Sequence, residues 1–317
     1  MADKKISDFG TVESIDAEDY MLIGNSTSTY RISYGTFVSN VLNGIVRTNV
    51  GSSNANRVLV VGDDGNITTR GIGNGCKALI ERTITQYSNE QLQWIGNYAF
   101  AGCVFLSEIV TPSCRRISVE AFLDCNSLVN VNMPNCFEIQ GAAFADCDSL
   151  TTVNFPACTD IGFGAFNNCR SLTTANFAES YINNRAGEIF SHAFDGCISL
   201  KTLRFPVCWQ IGNYAFMNCS SLTEANFPEC KNIGSYAFAY CSSLKTLSFP
   251  ECGTIWSYAF AYCTALESLY LTGNGCYLGY SNAFLGTNCS IYVPSSLYSR
   301  YIVSGQWSYL SSRIVSV

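Results

Sequence analysis

Ile211-Gly-Asn-Tyr-Ala215-Phe216-Met-Asn-Cys219-Ser-Ser-Leu222-Thr-Glu-Ala-Asn-Phe227-Pro228-Glu-Cys230-Lys-Asn232 is one turn of a pattern that fills most of this 317-residue chain. The Ala-Phe pair returns as Ala99-Phe100, Ala121-Phe122, Ala143-Phe144, Ala165-Phe166, Ala193-Phe194, Ala237-Phe238, Ala259-Phe260 and Ala283-Phe284, and in all but the last a Cys follows the Phe by three. A second set of cysteines follows Pro112, Pro134, Pro156, Pro206, Pro228 and Pro250 by two. The two sets alternate every eleven residues, so the true period is 22. Proline at regular interior positions excludes a helical supercoil, because each one removes a hydrogen bond and clashes with the preceding turn.

The two halves of the unit read differently. Leu150, Val153 and Phe155, with polar residues between, have the spacing of a short inward-facing strand. Proline ends that strand's ladder, and the Ile-Gly-x-x-Ala-Phe half is long enough for a helical turn that brings the chain back. Stacked units predict an α/β repeat solenoid of about nine coils, with a parallel sheet on one face. At about 4.8 Å between strands it would run roughly 40 Å.

Over residues 95–293 the repeat resembles the BspA-like type of leucine-rich repeat, found in many bacterial surface proteins and in some phage proteins. The tail from Ile291-Tyr-Val-Pro294 through Leu297, Tyr301, Trp307, Tyr309, Leu310 and Ile314 resembles the cap that closes such arrays, so 294–317 is read as a C-terminal cap.

Composition agrees with a solenoid: 48% of residues are hydrophobic and only 13% charged. A formal charge of -6 leaves no basic surface to release counterions from phosphate, which argues against nucleic acid. No run of 18 apolar residues occurs, and Met1-Ala-Asp-Lys-Lys5 lacks the apolar stretch of a signal peptide, so neither membrane insertion nor Sec export is expected. The 17 cysteines suggest disulfides at first sight. Equivalent cysteines of adjacent coils, however, have parallel Cβ vectors, and the two of one coil lie on opposite legs, so they are read as buried thiols packing like Ala or Val. With one histidine and no C-x-x-C pair, no metal or other cofactor is expected.

Residues 1–75 lack the repeat. Asp19–Ile23 and Thr29–Ile32 read as two strands around a small-residue turn, Arg57–Val61 and Ile67–Thr69 as a hairpin around Gly62-Asp-Asp-Gly-Asn66, and Phe37, Val38, Val41 and Leu42 as a short amphipathic helix. Lys5–Asp8, Asp19–Ile23 and Val58–Ile67 resemble amino-terminal segments of tailed-phage virion proteins, fibres especially. The resemblance implies a small, mainly β domain that anchors to capsid or tail and helps form trimers, with Tyr20, Leu22, Ile23, Phe37 and Leu42 as its anchor residues. Residues 76–94 are read as a linker and opening cap.

No catalytic constellation is present. His192 lacks a nucleophile motif, and of the strand-region acids Glu108, Glu224 and Glu267 only the last two can approach one ligand. Binding has more candidates. At the end of each strand an outward column reads Asn132, Asn154, Asn176, Arg204, Asn226, Ser248, Tyr270, Tyr292, either a set of amides and aromatics that recognises a glycan or a solvated sheet face. Tyr214, Tyr236 and Tyr258, with Tyr240, Tyr262 and Trp256 nearby, form a second column that is either a contact surface or packing. Between Phe166 and Phe194 the period stretches from 22 to 28, placing a loop with Arg185 within Tyr181–Glu188, a possible contact point or simply tolerated drift.

Together with the two resemblances, these residues predict a non-enzymatic phage fibre or adhesin, a homotrimer binding capsid or tail protein through its amino terminus and a host-surface glycan or protein through its solenoid. A bacterial cell-surface adhesin and a polysaccharide-degrading spike are the alternatives.

Overall fold

The computed structural model describes residues 85–178, 187–303 and 305–317, and the backbone of four strands that precede them. Each unit closes one coil. Its Leu-x-x-Val-x-Phe half supplies a three-residue strand, from Gln86–Ser88 and Glu108–Val110 through Ser268–Tyr270, ending in the longer Ser290–Val293. Successive strands pair in parallel, Thr152 with Thr174 and Ser268 with Ser290 at the regular 22-residue offset, and Thr174 with Thr202 at 28. The inward residues Ile109, Val153, Leu203, Leu247 and Leu269 are buried, as pleat alternation requires. This ladder runs in three segments, broken after Asn132 and after Asn226. Tyr87 fills the inward position of Gln86–Ser88, so the array starts one coil before the first Ile-Gly motif and has about ten coils.

The Ile-Gly half contributes a second ladder that the 22-residue pattern did not announce. Short strands such as Trp94–Ile95, Arg116–Ile117, Asp160–Ile161, Asn232–Ile233 and Tyr277–Leu278 join an 11-stranded sheet, and the Ile or Leu of each of these is buried. The glycine that follows has a steric reason. A Cβ on Gly212 would stand 2.6 Å from the amide nitrogen of Ser191 in the preceding coil.

The corner then turns through two left-handed residues. One stands before Ala-Phe, as Tyr98 (φ 59), Ala142 (φ 51) and Tyr236 (φ 57) do, and the other before Cys, as Asp124 (φ 60), Asn218 (φ 63) and Tyr262 (φ 57) do. Amides here donate to the next coil, Phe100 N–H to Ala121 O at 2.7 Å and Tyr98 N–H to Val119 O at 2.9 Å.

Two aromatic files and two thiol files make the core. Phe100, Phe122, Phe144, Phe166, Phe194, Phe216, Phe238, Phe260 and Phe284 stack with ring centroids 5.0–5.5 Å apart, and Phe155, Phe177, Phe205, Phe227 and Phe249 lie beside them. All described cysteines are buried, and none of them is in a disulfide. They are more than small apolar fillers. Cys125, Cys147 and Cys169 donate S–H to the carbonyls of Phe100, Phe122 and Phe144 one coil earlier, at 3.0–3.2 Å. The Pro-following thiols of Cys136 and Cys208 donate to the carbonyls two residues on, at 3.3 and 3.2 Å.

Both ends are closed. Tyr20–Gly24 pairs antiparallel with Thr29–Ser33, and Arg57–Val61 with Ile67–Gly71, as the turn signals predict. Ile67 then pairs in parallel with Ile95, so the second hairpin covers an edge the sheet would otherwise leave open. For Tyr20, Leu22 and Ile23 only backbone is described, and Phe37, Leu42 and Arg185 lie outside the described residues. At the other end the helix Tyr298–Val303 and the 3-10 turn Gly305–Arg313 place Tyr301, Trp307 and Leu310 over the last coil, and Ile314–Ser316 adds a strand. Tyr309 lies in the same 3-10 turn and is 75% exposed.

Phe144→Ala removes a wholly buried ring from the middle of its file. It is expected to cost about 3–5 kcal/mol in urea unfolding, while Gly212→Ala, adding one methyl against backbone, costs about 1–3 kcal/mol. Burial pushes the Cys114 thiol up to about 11 and Cys263 up to about 12 from the ordinary 9.0. Above pH 9 the unfolded chain therefore loses protons that the native chain keeps. Each such thiol stabilises the fold below that pH, and its contribution fades at ~1.4 kcal/mol per pH unit until the folded value is passed. Melting temperature should fall steeply between about pH 9 and pH 11, and less steeply in Cys114→Ala.

Candidate binding surface

The left-handed corner carries a file of stacked surface aromatics. His192, Tyr214, Tyr236 and Tyr258 occupy the same position in four successive coils, and their rings stack at 4.6, 4.9 and 4.6 Å, tilting no more than 17°. Phe163 continues the file at 5.3 Å. A tyrosine with positive φ is uncommon and strained, and here the inter-coil hydrogen bonds and the ring file hold it. Tyr240 and Tyr262 stack beside it at 4.9 Å and are about two-fifths exposed. Desolvation, then the neighbouring Tyr258, Tyr214 and Tyr240 hydroxyls, raise the pKa of Tyr236 above its ordinary value. The four hydroxyls thus form one cluster. Trp256 packs apart from them, over Gly279 of the following coil.

Half-burial of Tyr214, Tyr236 and Tyr258 comes from their own stacking. What the file offers a partner is therefore ring edges and hydroxyls, since each internal face is covered by the next ring. A sugar can stack flat only on an end ring.

The strand-end column runs in register within each segment of the first ladder. Asn154, Asn176, Arg204 and Asn226 stand in register, as do Ser248, Tyr270 and Tyr292. Asn132, Asn154, Arg204, Asn226 and Ser248 are exposed, whereas Asn176, Tyr270 and Tyr292 are half-buried. Among the described residues no side-chain hydrogen bond ties these amides to one another, so their donors and acceptors face outward. Tyr270 and Tyr292 stack on each other at 4.6 Å, which again hides ring faces and presents edges.

His192 is structural in its contacts: its ring lies between Phe163 and Tyr214, and Nδ1 meets Asp195 Oδ2 at 3.0 Å. Asp195 Oδ1 also accepts from Asn218 Nδ2 at 3.3 Å, as Asp146 Oδ1 does from Asn168 Nδ2 at 3.1 Å. Glu224 opens its strand, while Glu267 stands one place before its own, facing back to Lys245 through its amide. Glu188, at the end of the stretch that holds the insertion, sits in the second ladder opposite Asp160, at the 28-residue offset that six extra residues give, and accepts from Gln210 Nε2 at 2.8 Å. A feature that sequence reasoning missed is a shallow polar depression of about 370 Å³ lined by Gln93, Ser113, Arg115, Asn135 and Phe137. Its residues are neighbours only across coils, and no local motif marks them.

A sequence profile for a BspA type leucine-rich repeat region, in six copies, matches residues 75–186 and 187–299. The chain belongs to the BspA-type leucine-rich-repeat family. Among solved structures it is similar to the leucine-rich repeat protein of T. pallidum, at 24% identity and TM-score 0.49 over 61% of this chain and 91% of that one. A leucine-rich repeat protein from Bacteroides ovatus matches at 18% identity and TM-score 0.32, over 96% of this chain and 99% of that one. A leucine-rich cell surface protein from Faecalibacterium prausnitzii matches at 20% and 0.29, over 96% and 98%. No curated protein matches.

Among the described residues no helix is long and apolar enough to cross a membrane, and no group of acids, cysteines or histidine is arranged to hold a metal ion. Tyr236→Phe removes a clustered hydroxyl and leaves the ring file in place. Its melting temperature is expected to stay within about 2 °C of the parent, because surface changes away from packing rarely exceed 0.5 kcal/mol.

Proposed function

We propose that this chain is a non-enzymatic fibre or adhesin of a bacteriophage virion. Its amino-terminal segment joins a capsid or tail protein, and its solenoid binds a host-surface glycan or protein. The observation that carries the binding half is the pair of outward columns, one of amides, Arg204, Ser248 and edge-on tyrosines, the other of stacked tyrosines with clustered hydroxyls. They repeat at the coil spacing over many rungs. Such a surface suits a repetitive ligand held by many weak hydrogen bonds, and multivalency turns weak contacts into retention. The virion half rests on the resemblance of Lys5–Asp8, Asp19–Ile23 and Val58–Ile67 to phage amino-terminal segments. A domain of that size gains stability by pairing with copies of itself, which favours a homotrimer.

A second reading, a bacterial cell-surface adhesin, is favoured by the repeat family itself, whose BspA-like members include many bacterial surface proteins.

Immunogold labelling with an antibody to the solenoid separates the two: label on assembled particles supports the first, and label confined to a bacterial envelope replaces it with the second. For the binding surface, Tyr214→Phe, Tyr236→Phe and Tyr258→Phe together should weaken adsorption to host cells at least tenfold, with the circular dichroism spectrum unchanged, since each lost hydrogen bond is worth about 0.5–1.5 kcal/mol. Unchanged adsorption would move the site to the Asn132–Tyr292 column, tested by Asn154→Ala with Asn226→Ala. Release of oligosaccharides from host polysaccharide would identify a depolymerase and defeat the non-enzyme reading.

A further inference from the structure

The cysteine ladder slips once in a way that changes what two of its members can do. In a regular coil the Pro-following thiol donates to a carbonyl two residues on, as Cys208 does to Gln210 and Cys230 to Asn232. Cys252, besides meeting the Thr254 carbonyl, faces another cysteine. Its Sγ stands 2.7 Å from Sγ of Cys276, with both residues buried. Non-bonded carbon atoms settle at about 3.5–4.0 Å, and sulfur is larger. The gap is too short for two resting thiols and a small movement away from the roughly 2.05 Å of an S–S bond.

The ladder explains how this pair escapes the rule that keeps the others apart. Tyr277 pairs with Thr254 and Leu278 with Ile255, which sets Cys276 opposite Gly253 and not opposite Cys252. The preceding turn holds one residue more than its counterpart. Two glycines permit it: Gly275 has φ +111, and a Cβ on Gly273 would collide with the Pro250 carbonyl. Displaced by one place, the Cys276 side chain no longer runs parallel to that of Cys252. The cap then fixes it from outside, since its N–H donates to Tyr301 Oη at 2.6 Å and its carbonyl accepts from Trp307 Nε1 at 2.8 Å.

We infer that Cys252 and Cys276 form a disulfide in an oxidising environment, fastening the C-terminal cap to the last regular coil. The oxidant is a small disulfide such as oxidised glutathione. The Cys276 thiolate attacks one glutathione sulfur and releases the other glutathione as a thiolate, which takes up the proton Cys276 gave away. Cys252, deprotonated in turn, attacks Cys276 Sγ and expels the second glutathione, which is protonated likewise. Two protein thiols are oxidised and one glutathione disulfide is reduced.

The test uses the folded full chain treated with oxidised glutathione. Cleavage after Glu251 and Glu267 puts Cys252 and Cys276 on different peptides, and these should remain joined until dithiothreitol is added. The oxidised chain should be lighter by two hydrogens and melt roughly 5–10 °C higher. Cys252→Ser and Cys276→Ser should each abolish the link, whereas Cys263→Ser and Cys289→Ser, on the same two peptides, should leave it. A native chain that stays unlinked, or a link that survives Cys276→Ser, overturns the inference. Because the decisive reading is made on the unaltered chain, a variant that misfolds does not remove the test.

Discussion

Everything in this solenoid follows from one requirement: each backbone N–H that is buried between coils must find an acceptor in the coil above or below it. Straight segments meet the requirement by parallel strand pairing. A corner cannot, unless some residues flip to left-handed φ and aim their amides along the stack. The two left-handed positions flanking Ala-Phe do this, and the hydrogen bonds from Tyr98, Phe100 and Gly102 to Val119, Ala121 and Leu123 repeat coil after coil. Once the backbone is locked at one coil per rung, every side chain of a given position is forced to within about 5 Å of its equivalent. Phenylalanine files, thiol files and the tyrosine stack are consequences of that lock.

The choice of cysteine is a case where the same constraint reaches a side chain. The Phe carbonyl at the corner accepts an amide from its own coil and an S–H from the next, as Phe100 O does from Cys103 N and Cys125 Sγ. An alanine or valine would fill the space and leave that second acceptor site empty. The final coil supplies an internal control: three residues after Phe284 stands Thr287, not cysteine, and its hydroxyl donates to Phe260 O in the same way. Position three after the Phe therefore asks for a small buried donor. Cys289 is free to leave the file because Thr287 has taken its place. It accepts from Arg313 Nη2 at 3.2 Å in the cap.

The repeat made most of this legible from residue types alone. Strand phase, inward Phe and Leu, the turn at proline and the outward Asn–Tyr column could be placed because period 22 fixes each residue against its equivalents, while the two hairpins outside the repeat were marked by their turn residues. Three things were not visible. The second ladder was hidden because most of its strands are two residues long, too short for alternation to register. The handedness of Tyr214 or Asp124 was hidden because neither residue type marks positive φ as glycine does. The Cys252–Cys276 contact was hidden because counting 24 residues instead of 22 signals a slip but not its direction; that depends on where the extra residue enters the turn.

Stacking also limits what kind of partner the tyrosines can meet. A ring that spends both faces on its neighbours contributes little apolar area to an interface, so the file from His192 to Tyr258 cannot act as a greasy stripe despite its aromatic content. It presents hydroxyls and ring edges, not ring faces, and they recur at a spacing set by the backbone. The amide column has the same property. Both surfaces are therefore rulers of hydrogen-bonding groups with a pitch near 5 Å, close to the rise of the coils. A ligand with its own short repeat gains from every rung, whereas a compact small molecule can use only two or three. That asymmetry favours an extended polymer or another periodic surface over a soluble metabolite.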